Sequence, residues 1–445
     1  MQYGAWLEQH IGRYVDELSR FAAIPSVAGD ADAIAVAAQF TADAFRRRGF
    51  HAEVIPSRGN PVVVATGGSG EASLLLYNHY DVQPAGRTEE WRSDPFAPVL
   101  SDGMLYGRGI IDDKGEIVAR LAAIDALKER FGELPLRIVT CIEGEEETGS
   151  SNLAPFLAEH ADRLAAGACL WEGGMVDAAG RPHMWLGVRG LVFVHLSVTT
   201  LRHDAHSGFA HVLPSAAWRL VHALATLAGA DGRVLVEGLN EAACGPTSAQ
   251  NVLLTRMPDE DDDFRAEFGV ERFVAGRTAR DLREAVFLPT CNLCGLHSGA
   301  ERGQTRTIVP ATAHASLDLR LPPGVTPERA VNALRAHLDR AGFADVQMRA
   351  AEAERAACSD PEHPFVGIAS SALCDVYGVE PVVSPLVGGT GPAAHVVETL
   401  DLPFVSIGCS YPGSRKHAPN EHLRLRDFIL GAAAIATLME RFAFA

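Results

Sequence analysis

Histidine and acidic residues follow four short apolar runs of the sequence, and their side chains are of the kinds that bind metal ions. His79 and Asp81 come after one run, and their i, i+2 spacing points both side chains the same way if the strand conformation persists. Glu172 follows a second run, the acidic stretch 143–147 a third, and His417 a fourth. Because strand ends of an open α/β sheet converge on a common crevice, we expect these groups to meet at one site.

A glycine-rich turn at residues 107–115 delivers Asp112 and Asp113 to the start of a predicted helix. Taken singly, each feature has an ordinary structural explanation: the aspartates cap a helix, the acidic stretch is a hydrated loop and His417 is a surface histidine. Taken together, two imidazoles and several carboxylates at strand ends favour a metal site. This ligand set suits zinc, and three carboxylates can hold two cations close together.

Two neighbouring cations would support a hydrolytic reaction. They lower the pKa of a bridging water and polarise an amide carbonyl. One further carboxylate, not itself a metal ligand, is then needed to accept the proton of the water and pass it to the leaving amine. The residues therefore indicate metal-assisted hydrolysis of an amide.

The elements that must position these residues alternate between short apolar β-type runs and longer helical patterns. The runs lie at residues 61–65, 73–77, 137–142 and 168–171, and the stretch 116–130 between the second and third has apolar residues at helical spacing. This alternation predicts an α/β domain.

The pattern of predicted elements changes after residues 187–190. A longer alternating strand, 191–199, precedes a helix near 215–227, a strand that ends at Arg320 and a helix at 327–340. These elements predict an α+β domain inserted into the α/β domain.

The remaining residues are predicted to complete the α/β domain. Residues 350–357, rich in Ala, Glu and Arg, are expected to form the return linker, and a helix near 365–377 and a strand at 403–407 follow. Within the inserted part, the acidic patch 259–263 is expected to be a solvated loop.

Composition narrows the classes of partner. The 445 residues carry 39 Lys and Arg against 56 Asp and Glu, a formal charge of −17 that repels phosphate backbones and anionic membranes, so we expect no nucleic acid and no membrane as partners. The longest apolar run, 428–439, is too short to span a bilayer, and the N-terminal segment lacks the apolar core of a signal peptide. Eight scattered cysteines are expected to be reduced thiols. These features predict a cytoplasmic protein.

At these residues the sequence resembles the M20 family of metallopeptidases, which includes carnosinase-like dipeptidases, aminoacylases, acetylornithine deacetylase, succinyl-diaminopimelate desuccinylase and glutamate carboxypeptidases. The resemblance runs over nearly the whole chain. The motifs that carry it, specific as an ordered set, are Asn78-His-Tyr-Asp-Val-Gln-Pro84, residues 91–95, Leu105-Tyr-Gly-Arg-Gly-Ile-Ile-Asp-Asp-Lys-Gly115 and residues 143–150.

The resemblance implies two Zn²⁺ ions per chain, with Mn²⁺ or Co²⁺ as alternatives. The ligands that it assigns are His79 and Glu172 for one ion, Glu147 and His417 for the other, and Asp112 as the bridge between them. It also implies that Glu146 is the general base, and that Asp81 is the acid that orients the first histidine.

The resemblance further implies a zinc-peptidase-type three-layer catalytic domain, residues 1–187 and 356–445, with an inserted ferredoxin-like α+β lid, residues 188–355. Such a lid forms a homodimer and lends a histidine across the interface to stabilise the tetrahedral oxyanion. His206 fits that histidine and His211 is a weaker candidate.

For the substrate, Arg320 matches a position that grips a carboxylate, and Thr390 lies in a glycine-rich segment that resembles the substrate loop of the family. We therefore expect a small-molecule substrate, a dipeptide with a free C-terminal carboxylate. One alternative substrate is an acetyl-, succinyl- or carbamoyl-amino acid. Two alternative functions are a mononuclear-metal aminohydrolase and a metal-dependent binding protein without catalysis. A binding protein would not need the two carboxylates, Asp81 and Glu146, that are not ligands.

Overall fold

The computed structural model describes residues 2–301 and 303–445. By its internal contacts the chain divides into two units. Unit 1 comprises the residues up to Gly187 together with Cys358–Pro385 and Pro392–Ala445, and unit 2 comprises Val188–Ala357 and Leu386–Gly391. The chain therefore passes from unit 1 to unit 2 twice.

The first stretch of unit 1 alternates strands and helices, as the apolar runs predict. Its helices are α1 (Gln2–Ala22), α2 (Ala31–Arg46), α3 (Lys114–Phe131) and α4 (Leu153–Leu164). Its strands are β1 (His51–Ile55), β2 (Val62–Gly67), β3 (Ser73–His79), β4 (Val99–Ser101), β5 (Met104–Tyr106), β6 (Arg137–Glu143), β7 (Ala168–Trp171), β8 (Met175–Val176), β9 (Pro182–Trp185) and β10 (Gly187–Val188), the last of which ends at the first residue of unit 2.

Most elements of unit 2 follow as a continuous segment. Its helices are α5 (Ala216–Leu224), α6 (Ser248–Arg256), α7 (Asp261–Phe268), α8 (Ala279–Leu282) and α9 (Pro327–Arg340). Its strands are β11 (Gly190–Thr199), β12 (Ala205–His206), β13 (Thr290–His297), β14 (Ile308–Val309), β15 (Thr312–Leu321), β16 (Gln347–Glu354) and β17 (Ala357–Cys358). The chain then adds α10 (Pro364–Tyr377), α11 (Ala393–Leu400), α12 (Leu425–Ala443), β18 (Val382–Ser384), β19 (Phe404–Ser406) and β20 (His422–Arg424) to unit 1.

The main sheet of unit 1 has the strand order β1-β2-β6-β3-β7-β19-β9-β18, with β8 paired to β9. Strand β3 is parallel to both β6 and β7, and β19 is parallel to β7, so the carboxyl ends of these four neighbours lie along one edge. Helices α1, α3, α10 and α12 pack on one another, while α4 packs against α11. The predicted three-layer α/β fold is confirmed.

Unit 2 is built on a four-stranded antiparallel sheet with the order β13-β15-β11-β16. Along β11 the residues Val192, Val194, Leu196 and Val198 are buried, while those between them are partly exposed. This alternation buries one face of the sheet, against which α5 and α9 pack. The predicted ferredoxin-like α+β lid is confirmed as a fold class.

Two local predictions were wrong. Residues 350–354 of the expected linker belong to β16, which pairs with β11 as an edge strand, because backbone pairing outweighs the poor strand propensity of Ala and Glu. The acidic patch 259–263 is not a loop throughout, since Asp261 to Asp263 form the first turn of α7. The helix dipole stabilises negatively charged side chains at this end of the helix. Within the described residues, the structure has no helix long and apolar enough to cross a membrane.

Candidate metal centre

Four neighbouring strand ends bring the predicted residues of unit 1 together. Strand β3 ends at His79, and Glu172 directly follows β7. A short 3₁₀ turn, Glu146–Thr148, follows β6, and the loop after β19 leads to His417. Because β3, β6, β7 and β19 are parallel neighbours, their carboxyl ends direct these side chains into one crevice.

The first group of polar atoms surrounds the His79 imidazole, which is buried. Its Nε2 lies 3.3 Å from Asp112 Oδ1 and 3.4 Å from Glu172 Oε2. The Glu172 Oε2 atom is buried and has no hydrogen-bond partner among residues 2–301 and 303–445. A carboxylate oxygen in that position is costly unless a proton or a cation satisfies it. The first group therefore fits a bound cation.

The second group lies on the other side of Asp112. The Nε2 atom of His417 lies 3.0 Å from Asp112 Oδ2 and 3.2 Å from Glu147 Oε2. Thus the two carboxylate oxygens of Asp112 face two different imidazoles, as a ligand that bridges two cations requires. The side chains whose ligand atoms lie close enough to share one ion are His79, Asp113 and Glu172 in one group and Asp112, Glu147 and His417 in the other.

The carboxylate of Asp113 is already engaged in hydrogen bonds. Its Oδ2 already accepts hydrogen bonds from the Asn78 side-chain amide (2.6 Å) and the His79 backbone N–H (3.2 Å). These bonds hold the end of β3 against the start of α3. Asp113 therefore supports the strand, whereas the two side-chain oxygens of Asp112 face the two imidazoles.

Asp81 contacts the back of the site. Its Oδ1 lies 3.4 Å from Nδ1 of His79, and the same ring nitrogen is 3.1 Å from the Asp81 carbonyl. With acceptors facing Nδ1, the neutral ring carries its proton there, which is the tautomer that presents the Nε2 lone pair to a cation. The Asp81 carboxylate also accepts hydrogen bonds from the backbone N–H groups of Glu146 (3.3 Å) and Glu147 (3.0 Å). One side chain thus connects β3 to the turn after β6.

Glu146 stands beside both groups without belonging to either. Its Oε2 is 4.0 Å from Nε2 of His79. Burial raises the pKa of the Glu146 carboxyl to about 8; His79 opposes the shift, while the carboxylates of Asp112 and Glu147 add to it. A carboxyl group with this proton affinity is suited to accept a proton near neutral pH.

Negative charge accumulates at the site. Burial raises the pKa of Glu172 well above its ordinary value. Hydrogen bonds to Asp112 and Glu147 raise the pKa of His417 to about 10. The pKa of His79 is also raised, because the nearby carboxylates, led by Glu172, outweigh the opposing effect of burial. The two histidine shifts report carboxylates in excess of positive charge around the imidazoles, which bound cations would neutralise.

Two supporting residues lacked an assigned role in the sequence. The buried Glu421 carboxylate accepts hydrogen bonds from the backbone N–H groups of Gly109, Ile111 and Asp112 at 3.0 to 3.2 Å, and it pairs with Arg108 at 2.6 Å. Gln83 donates to the Glu147 carboxylate through its side chain (2.9 Å) and its backbone (3.1 Å). The only sequence signal for Glu421 is that it is an acidic residue shortly after a predicted ligand.

Unit 2 holds the other predicted residues. His206 is exposed, and its Nδ1 accepts the Gly208 N–H at 3.0 Å, so the neutral ring carries its proton on Nε2. In His211, by contrast, Nδ1 faces the Gly208 carbonyl at 3.0 Å and must donate, which leaves Nε2 without a proton. Of the two histidines, only His206 therefore presents a neutral N–H donor on Nε2.

Arg320 and Thr390 are in contact within unit 2. The Arg320 Nη1 donates to Thr390 Oγ1 at 2.7 Å. Its Nε and Nη2 pair with Asp318, two residues earlier on β15, at 3.2 Å each. No pattern in the sequence points to Asp318. These three bonds use three of the five guanidinium N–H groups, so two remain for another acceptor.

The fold and the clustered imidazoles and carboxylates define an α/β protein with a candidate dinuclear metal centre. The model of Peptidase family M20/M25/M40 matches residues 75–441, and the chain belongs to this family. The Cys-Gly metallodipeptidase dug1 of Schizosaccharomyces pombe is 25% identical over 462 residues, covering 97% of this chain and 95% of that protein. The Beta-Ala-His dipeptidase of Homo sapiens is 26% identical over 394 residues, 84% of this chain and 76% of that protein.

Solved structures agree with the sequence relatives. The M20 family metallo-carboxypeptidase Sso-CP2 from Sulfolobus solfataricus superimposes with a TM-score of 0.91 at 30% identity, covering 97% of this chain and 99% of that one. The di-peptidase Dug1p from Saccharomyces cerevisiae superimposes with a TM-score of 0.86 at 22% identity, covering 100% of this chain and 98% of that one. The predicted family is therefore confirmed over nearly the full length of this chain.

Proposed function

We propose that this chain is a dinuclear metal hydrolase that cleaves the amide bond of a dipeptide with a free C-terminal carboxylate. The observation that carries the proposal is the position of Asp112, whose two carboxylate oxygens face His79 and His417 separately. Relatives that are named as Cys-Gly and Beta-Ala-His dipeptidases support a dipeptide as the substrate.

In this proposal two Zn²⁺ ions occupy the site, with Mn²⁺ or Co²⁺ as alternatives. The residues that would hold them are His79 and Glu172 on one side, Glu147 and His417 on the other, and Asp112 between. Such ions, when bound, lower the pKa of a water and polarise the amide carbonyl. Glu146 accepts the proton from the attacking water and delivers it to the leaving amine. Asp81 keeps the first histidine in the tautomer that presents Nε2, and Gln83 orients Glu147.

We assign unit 2 to substrate binding and dimer formation. Arg320 keeps two free N–H groups after pairing with Asp318 and Thr390, enough to hold a substrate carboxylate. His206 would stabilise the oxyanion in the site of a second chain. Three large apolar residues near it in the sequence, Phe209 (56% exposed), Val212 (67%) and Trp218 (64%), are the surface that we assign to the contact of a homodimer.

A substrate panel tests the proposal. The purified chain, loaded with Zn²⁺, Mn²⁺ or Co²⁺, is assayed with Cys-Gly, β-Ala-His and the acetyl-, succinyl- and carbamoyl-amino acids, and metals per chain are counted by elemental analysis. We expect two ions per chain, faster cleavage of dipeptides than of acylated amino acids, and loss of activity with a chelator. Faster turnover of an acylated amino acid would make the chain a deacylase, and full activity with one ion would contradict the dinuclear site.

A further inference from the structure

Two buried charged residues of α3, Glu116 and Arg120, take no part in the proposed chemistry. Both side chains are at most 1% exposed, and their charged groups are 3.5 Å apart one helical turn from each other. Removing an ion pair from water is expensive, and apolar residues of similar volume are often as stable in its place. Stability alone therefore does not account for this pair in an otherwise apolar helix face.

Arg120 reaches the end of β7. Its Nη2 donates to the Trp171 carbonyl at 2.8 Å, and Trp171 is the residue immediately before Glu172. The Trp171 ring stacks on Tyr77 with a centroid distance of 3.7 Å, two residues before His79 on β3. The guanidinium thus holds the backbone that presents one proposed ligand.

Glu116 reaches the loop after β19. Its Oε1 accepts the backbone N–H of Cys409 at 2.7 Å, on the loop that leads to His417. A Cβ atom on the adjacent Gly408 would collide both with Oε1 of Glu116 and with the Gly173 carbonyl. A glycine is therefore required for the loops after β7 and β19 to approach each other around this carboxylate.

We propose that the Glu116–Arg120 pair is a positioning pair for the metal centre. It fixes Glu172 through the Trp171 carbonyl and the loop of His417 through the Cys409 N–H. The same helix starts two residues after Asp112, so one turn of α3 connects segments that carry ligands of both ions. This inference rests on the proposed dinuclear site.

The test removes both charges together, so that neither is left unpaired in the interior. The double variant Glu116→Gln/Arg120→Met keeps most of the side-chain volume. We expect it to fold, with Zn²⁺ affinity in a competition titration about 10- to 100-fold weaker, as is typical when partners of metal ligands are lost. The visible absorption spectrum of the Co²⁺-loaded variant should also change, because the ligand geometry changes.

The matched control is a second buried ion pair of unit 1, Arg48 and Glu17, whose charged groups are 2.8 Å apart. Arg48 also pairs with Asp125 of α3 at 2.9 Å, so that carboxylate is neutralised as well. The variant Glu17→Gln/Arg48→Met/Asp125→Asn removes these charges together, and its metal affinity should stay within about twofold of the unmodified chain. Equal weakening in this control would overturn the inference, since it would indicate general loosening of the fold.

Unchanged Zn²⁺ affinity and an unchanged Co²⁺ spectrum in Glu116→Gln/Arg120→Met would also overturn it. If that double variant does not fold, the variant Arg120→Lys tests the inference, because lysine keeps the charge but cannot reach Trp171 and Glu116 together. We expect its Zn²⁺ affinity to be about tenfold weaker. An affinity equal to that of the unmodified chain would refute the role of the pair. Failure of the unmodified chain to bind two ions would instead refute the proposed function.

Discussion

At the scale of single residues, Glu146 differs from the neighbouring glutamates in what surrounds it. Glu145 and Glu147 both accept hydrogen bonds, from Asn60 and Asn152 in the first case and from Gln83 in the second. Glu146 lies beside both candidate ligand groups, and partial burial raises the pKa of its carboxyl to about 8. This environment suits proton transfer and distinguishes the proposed base from a ligand.

Replacing the base should separate catalysis from metal binding. We expect Glu146→Ala to keep its metal content and to lower kcat about 10²- to 10⁴-fold, the usual contribution of a general base. Elemental analysis and steady-state kinetics measure the two effects. The control Glu145→Gln alters the adjacent glutamate and should stay near the unmodified rate; unimpaired turnover in Glu146→Ala would reject the assignment.

His206 makes a prediction that depends on two chains. Because its Nε2 carries the proton, His206→Ala should lower kcat by removing an oxyanion donor, and His211→Ala should have a much smaller effect. Mixing His206→Ala with Glu146→Ala chains should recover about a quarter of the unmodified activity, because random pairing leaves one intact site in half of the dimers. Absence of any recovery after subunit exchange would argue against a site shared between chains.

At the scale of elements, the four parallel strands and the turn before α3 determine where the proposed ligands lie. The strand ends were predictable, because apolar runs such as 168–171 match β7 and a polar residue follows each. The contacts of Glu421 were not, because its partners lie more than 300 residues away in the sequence and meet it only through loop packing. Strand β16 was missed because its pairing with β11, not its composition, makes it a strand.

The turn at residues 107–112 should depend on Glu421. In Glu421→Gln an amide group would face backbone N–H donors, and Arg108 would remain buried without its carboxylate. We expect a loss of about 3–5 kcal/mol in the free energy of unfolding, measured in urea. The double variant Arg108→Met/Glu421→Gln should recover part of that loss, and equal stability of the single variant and the unmodified chain would contradict the role of the carboxylate.

At the scale of the whole molecule, the excess of buried carboxylates couples stability to both metal and pH. The carboxyls of Glu143 and Glu146 both have pKa values raised to about 8 from an ordinary 4.5, mainly by burial. A folded-state pKa above the unfolded one favours folding at low pH and loses that contribution as pH rises towards the folded value. Cations that bind only the folded chain oppose this loss.

Calorimetry on the whole chain checks this coupling. We expect the chelator-treated chain to lose thermal stability as pH rises from about 5 to about 8. Each ion added at a free concentration of 100 times its dissociation constant should restore about 2.7 kcal/mol to the free energy of unfolding. The variant His417→Ala should respond less to added Zn²⁺ than the unmodified chain does. A transition temperature independent of metal would show that the cluster does not bind cations in the folded chain.

The crossing of the chain between its two units has a consequence for engineering. Thr390 lies in Leu386–Gly391, which belongs to unit 2 although it is separated in sequence from the rest of that unit, and it contacts Arg320. A chimera that received only residues 188–357 from another protein would combine a foreign arginine with the original threonine loop. With the proposed role of Arg320 in substrate binding, transplanting substrate preference requires two grafts, and libraries that exchange a single segment would separate the two partners.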